Sequence, residues 1–340
     1  MVEILVFFIG ASLLLYVVLG GSDFGAGIIE LLPAGPLRTA QKEAINRAMG
    51  PVWEANHMWL ILIVVILFTG FPVIFTTLMI ALHGPMLALL VGIIVRGVAF
   101  SFRHYDAMQE EKSQCVYTWL FGLSSLWTSL WLGIIAASLN RGIIDPSALD
   151  FWSAYVAPWW GLYPLSVGVF VTCIYAFLAA IYLVGETRDP VLQRRFLRFA
   201  AVFNSLVIVT GGLVFLASMR EQQNLAEAFA RRPLNLAVVA LATLLFVVLW
   251  FLIARRRSLL ARAVAAGQMA LIPLGWYFLY APDAVLTASG PIGFHAAAAP
   301  PATLRLLIIA LLVGSLFIFP SIYYLLRVFK LRETPKGGEG

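Results

Sequence analysis

The chain has 340 residues, 61% of them hydrophobic and only 12% charged, with a formal net charge of +6 and a mean hydropathy of +0.92. A water-soluble domain of this length carries more polar surface, so the composition excludes a soluble enzyme and implies an integral membrane protein. The basic balance does not point to nucleic acid, because Lys and Arg sit in short stretches between long apolar runs, the pattern of membrane topology.

In chain order, nine runs are long enough to span a bilayer as helices of about 20 residues. They lie near 4–24, 53–74, 78–102, 116–138, 162–184, 199–219, 234–254, 263–281 and 303–328. Alternating strands of the transmembrane-barrel type are absent. Hydrocarbon requires every backbone polar group to be satisfied internally, which leaves a helical bundle. The expected fold is therefore an all-α integral membrane protein, one transmembrane domain over residues 1–330 and a disordered tail at 331–340. The first run opens with Glu3 and no basic residue, unlike a cleavable leader, so it is read as a span.

Nine spans put the two termini on opposite sides. Of the 23 Lys and Arg residues, 17 fall on one side, 5 on the other, and Arg96 lies within a span. The bias places the N-terminus outside and the C-terminus in the cytoplasm. The outer stretch 140–161 holds Trp152, Trp159 and Trp160, expected as an interfacial belt. Cys115 and Cys173 fall on separate runs without zinc or haem-attachment spacing, and read as small apolar residues.

Three stretches carry polar residues into the membrane. "GGSDFGAG" (Gly20–Gly27) ends the first run, "WEANHMWL" (Trp53–Leu60) opens the second, and "RGVAFSFR" (Arg96–Arg103) ends the third. Asp23, Glu54 and Arg96 thus fall in the cytoplasmic half of the bilayer. An ionisable group there is costly and reads by default as functional, although a structural ion pair is the plain alternative. Glycines around Asp23 imply close helix packing. Glu54 and His57 share one helix face, and Trp53, Asn56 and Leu60 a neighbouring one. A carboxylate beside an imidazole can hand on protons; packing is the other use of such a histidine. Arg96 is expected to be buried and paired. Arg103, about 10 Å nearer the helix end, is expected to be solvated. His57, His83, His104 and His295 form no evident facing pair, so haem ligation by this chain is not expected.

At these three stretches the chain resembles subunit II of the cytochrome bd-type quinol oxidases, including the cyanide-insensitive branch. The family carries Asp-Gly-Phe-Asp-Leu-Gly-x-Gly, Trp-Asp-Gly-Asn-x-x-Trp-Leu and Arg-Gly-x-x-Phe-Glu-Phe-Arg in the same order and spacing. Gly20, Glu54, Ala55, His57 and Ser101 depart from it. The first and last departures remove acidic residues and put the family's proton route in doubt here.

The resemblance implies two four-helix bundles plus one additional helix, in the bacterial inner membrane. It implies a complex that oxidises quinol and reduces oxygen to water. The haems would belong to a larger partner, subunit I. It also implies room for a structural quinone and for a small single-helix third subunit. Asp23, Glu54 and His57 would then serve a proton pathway from the cytoplasm, with Trp53, Asn56, Trp59, Arg96 and Arg103 as the surrounding polar network. Two other classes fit part of the pattern: a proton-coupled secondary transporter and a structural membrane scaffold. The polar residues cluster at one end and early in the chain, which disfavours a midplane transport site.

The topology has a direct test. A reporter fused after Glu333 is expected to behave as cytoplasmic; activity of a periplasm-only reporter there would refute the assignment.

Overall fold

The computed structural model describes residues 1–49, 53–105, 110–187, 189–221, 223–255 and 257–332, apart from the side chains at 53, 54, 104, 105, 322, 325, 326 and 328–332. Helix α1 (Val2–Leu15) continues through a π turn at Tyr16–Gly20 into α2 (Gly21–Glu30). Together they form one apolar rod of 29 residues. An amphipathic helix, α3 (Arg38–Met49), follows, burying Gln41, Ala44, Ile45 and Met49.

The next apolar run is broken. Helix α4 (Trp53–Gly70) stops, and α5 (Pro72–Ala81) leaves it at 116°. Pro72 has no N–H to continue the ladder and pushes the preceding residue out of the helical region; Phe71 sits at φ −138°, ψ 60°. The second run therefore ends at Gly70 rather than near 74, and the third begins later than 78, with α6 (His83–Tyr105), because α5 takes up the residues between. Then come α7 (Glu111–Ser138), the short α8 (Phe151–Tyr155), α9 (Leu162–Glu186), α10 (Pro190–Arg220), the short α11 (Leu225–Ala230), α12 (Pro233–Ala254) and α13 (Ser258–Tyr280). A two-stranded antiparallel hairpin, β1 (Asp283–Thr287) and β2 (Gly290–Gly293), precedes α14 (Pro301–Arg332). Among the described residues eight helices are long and apolar enough to cross a bilayer, or nine if α4 and α5 count as one broken span.

Helix starts follow local chemistry. Asp189 accepts a hydrogen bond from Val191 N, with Pro190 at the first position of α10. Asp150 caps α8 by accepting from Ser153 N, and that bond holds the Asp150 carboxyl below its ordinary pKa. The hairpin and its following loop cover the break in α4: Ala299 N donates to Gly70 O at 2.9 Å, and Phe294 meets Phe71 edge-on at 5.1 Å. Trp127, Trp131, Trp159 and Trp160 run edge to face along the same end of the molecule.

Helix α9 is the centre of the bundle, packed against α2, α7, α10 and α13. In hydrocarbon no hydrophobic effect drives helices together, so close van der Waals contact through small residues must do it. Gly133 on α7 lies against Gly168 on α9. Gly25 on α2 lies against the backbone of Tyr175, where a Cβ would fall 1.8 Å from the carbonyl oxygen and 2.8 Å from the Ala179 Cβ. Neither neighbour is a flexible tip that can swing away.

Gly25→Ala is accordingly expected to force α2 from α9, costing about 1–3 kcal/mol and lowering the melting temperature of the purified protein. Gly212→Ala on α10 meets nothing within 4 Å and should be silent. Equal melting temperatures for the two variants would contradict the packing argument.

Candidate functional site

The site lies where α2, α6 and α7 meet. Asp23 and Arg96 are both fully buried. Arg96 Nη2 donates to Asp23 Oδ1 at 2.5 Å and lies 3.5 Å from the Asp23 carbonyl. Arg96 Nε donates to Ser125 Oγ on α7 at 3.1 Å. The guanidinium also sits 4.9 Å from each of the Phe24 and Phe121 ring centroids. Charge, hydrogen bonds and aromatic faces thus compensate a cation that hydrocarbon alone would reject.

A second rung lies one step toward the chain's basic end. Arg103 Nη1 donates to Glu30 Oε1 at 2.7 Å, and Nη2 donates to Asn46 Oδ1 on α3. Its guanidinium stands 4.8 Å from the Phe121 centroid and 5.4 Å from that of Phe100. Arg103 is therefore buried, at 4% exposure, rather than solvated as its place near the helix end suggested. The reason is tertiary: α3 folds back over this end and brings Asn46 with it. Glu30 and Asn46 escaped the sequence reading. A signal was present, since Asp23 and Glu30 are seven apart, as are Arg96 and Arg103. Two helices that run in the same direction against a common neighbour, here α7, can match such ladders through long arginine side chains.

The first turns of α4 pass beside the π turn. A π turn shifts the ladder by one residue and frees backbone groups to bond elsewhere. The Leu19 carbonyl accepts from Ser22 Oγ at 2.8 Å and from the buried Asn56 at 3.4 Å. His57 is partly buried, with its ring centroid 6.4 Å from Tyr16 and 5.9 Å from Phe24. Its Nδ1, the Tyr16 hydroxyl, Asp23 Oδ2 and Arg96 Nη1 are buried without a protein hydrogen-bond partner. Trp59 is buried and faces Phe319 of α14 at 6.2 Å. The backbones of Trp53 and Glu54 open α4, but their side chains lie outside the described residues, so the Glu54–His57 pairing does too. Where the resembled family has its first acid, Gly20 is packed by Tyr16: a Cβ at Gly20 would stand 3.1 Å from the ring. That aromatic ring occupies the space a side chain at 20 would need.

Around the basic end, polar side chains tie α3 to its neighbours. Gln41 donates to Ile29 O at 3.0 Å and accepts from Arg195 Nε at 2.9 Å. Lys42 donates to Gln114 at 2.9 Å; burial, then the Arg103 charge, pushes its ammonium pKa down. Apart from this cluster, Arg262 pairs with Glu186 at 2.8 Å and covers the Tyr182 ring. At the opposite end Arg141 pairs with Glu221 at 2.8 Å and donates to the carbonyls of Ala157 and Pro158.

Two of the other histidines make protein contacts. His83 packs against Tyr155 and His295 pairs with Glu3 at 2.8 Å. No group of three or more His, Cys, Asp or Glu able to hold a metal occurs among the described residues.

Comparison with known proteins points to the same family that the three stretches resemble. Subunit 2 of the cytochrome bd ubiquinol oxidase of Bacillus subtilis (strain 168) is 28% identical over 191 residues, 56% of this chain and 55% of that protein. Subunit 2 of the cytochrome bd-I ubiquinol oxidase of Escherichia coli (strain K12) is 24% identical over 135 residues, 40% of this chain and 35% of its own length. These matches span about half or less of the relatives' length. The fold resembles a chain in the structure of bd oxidase from Geobacillus thermodenitrificans, with a TM-score of 0.72 and 20% identity, over 96% of this chain and 98% of that one. A family model of cytochrome bd terminal oxidase subunit II matches residues 1–329, and the chain belongs to that family.

Proposed function

We propose that this chain is the non-haem subunit of a quinol:oxygen oxidoreductase in the bacterial inner membrane, assembled beside a haem-bearing subunit I. It supports that partner and takes up protons from the cytoplasmic side. The observation that carries this reading is the enclosed Asp23–Arg96 pair, bordered by the unpartnered atoms of Asp23, His57 and Tyr16. Reducing oxygen to water consumes protons, which must cross apolar protein to reach the reacting centre. A path needs protonatable groups and polar atoms able to hold water between them, and this cluster offers both.

The roles follow from the positions. Glu54, in the first turn of α4, is the entry carboxylate, His57 the relay one turn on, and Asp23 the inner acceptor. Arg96 fixes Asp23 by charge and by its bond to Ser125. Asn56 anchors α4 to the π turn. The haems and the quinol-oxidising site are assigned to the partner, as the resemblance of the three stretches implies. The transporter and scaffold readings lose ground: the family match covers nearly the whole chain, and a scaffold has no need of several unpartnered polar atoms around one ion pair.

Two substitutions test the pathway. Glu54→Gln keeps size and hydrogen bonding but cannot ionise. The complex is expected to assemble with its full haem absorbance while quinol-driven oxygen consumption and proton uptake fall together, by about 10²-fold if Glu54 transfers protons directly. Full turnover in an assembled Glu54→Gln complex would remove Glu54 from the path. Arg96→Leu leaves Asp23 buried without its cation, and is expected to destabilise the complex by about 3–5 kcal/mol; unchanged thermal stability would show that Asp23 has another partner.

A further inference from the structure

We infer that Glu30 is a second proton-loading carboxylate, through which protons reach the Asp23–Arg96 pair from a groove at the basic end of the chain. The inference rests on the proton-uptake reading above and gives it an entrance separate from Glu54.

Three observations on the geometry converge. The first is access. A groove of about 410 Å³ opens beside Glu30, lined by Leu31 to Gly35, Arg38, Thr118 and Trp119. That is ample for several waters. Its wall is pinned, because Arg195 donates to the Pro33 carbonyl and to Gln41, which holds Ile29. The second is chemistry. The Glu30 side chain is 3% exposed and pairs with Arg103 through Oε1 only, while Oε2 is buried with no hydrogen-bond partner. A purely structural carboxylate in low dielectric would be expected to use both oxygens, since an unmatched polar atom there is expensive. One oxygen bonded to a guanidinium and one left open is an arrangement that can take a proton without losing its anchor.

The third is alignment. Glu30 lies two helical turns from Asp23 on the same helix, about 10 Å along the axis. Arg103 and Arg96 mirror that spacing and approach the same Phe121 ring, at 4.8 and 4.9 Å from its centroid. Phe121 thus separates a rung that borders the groove from a rung that is fully buried. A proton leaves a hydronium ion in the groove and bonds to Glu30 Oε2, with water left behind. It then passes from Glu30 through transient water past Phe121 to Asp23 Oδ2, and Glu30 returns to its ionised form. The arginines keep their protons throughout. The charged groups facing Glu30 are Arg103 on α6, and Arg38 and Lys42 on α3. All are basic.

The test uses the intact oxidase purified with its haem-bearing partner. Glu30→Gln should retain the haem absorbance while oxygen consumption and proton uptake fall about 10- to 100-fold. Sodium formate should restore part of the rate, because a small acid fits the groove, while sodium chloride at equal ionic strength should not. If Glu30→Gln fails to assemble, the double variant Glu30→Gln/Arg103→Gln removes both charges, leaves no unpaired ion, and is read in the same way. Full turnover in an assembled Glu30 variant, with Glu54→Gln impaired, would overturn the Glu30 entrance and leave the Glu54 path standing. Full turnover in both would overturn the pathway altogether. A loss that formate does not restore would make Glu30 a structural partner of Arg103 and overturn the inference.

Discussion

A guanidinium cannot remain inside a bilayer without a counter-charge and hydrogen-bond acceptors, and this chain places two there. Arg96 and Arg103 are met by Asp23 and Glu30, each pair closed around Phe121. Much of the surrounding packing serves that arrangement. Gly27 lies so near Ser125 that a Cβ there would stand 2.2 Å from its hydroxyl, and Gly122 lies 3.0 Å, by the same measure, from the Gly27 carbonyl. Only small residues let α2 and α7 approach closely enough for Ser125 to accept from Arg96. The polar ladder and the glycine contacts are therefore one device. Enlarging a glycine would part the helices, and parting them would strand a charge.

Two irregular backbones set what borders the ladder. The π turn at Tyr16–Gly20 offers the Leu19 carbonyl to Asn56, which fixes the first turns of α4 near Asp23. The break at Phe71–Pro72 turns α5 aside and seats the hairpin loop over the freed end of α4. One irregularity thus faces the polar cluster and the other closes the opposite end. Both occur at residues whose chemistry explains them: a run ending in glycines for the first, and an aromatic–proline pair for the second.

The departures from the resembled family gain a physical meaning. At Gly20 the Tyr16 ring takes the space that a side chain would fill. Glu30, at the end of α2, places a carboxylate beside the groove.

The sequence alone determined the class of the molecule and its family. Twenty-residue apolar runs have one stable form in lipid, and three short motifs in fixed order carry the family. The identities of Asp23 and Arg96 as costly charges were legible for the same reason, since burial in a span is written in the flanking residues. What only the tertiary structure decided is which charges meet. Arg103 reads as solvated because it stands near a helix end, and becomes buried because α3 folds over it with Asn46. Glu30 drew no reading from the sequence, and becomes a paired carboxylate beside a groove because α2 and α6 both pack on α7, within reach of the Arg103 side chain. Hydropathy is a property of one segment and is readable along the chain. Pairing, burial and water access are properties of several segments at once, and they exist only when distant residues are brought into contact.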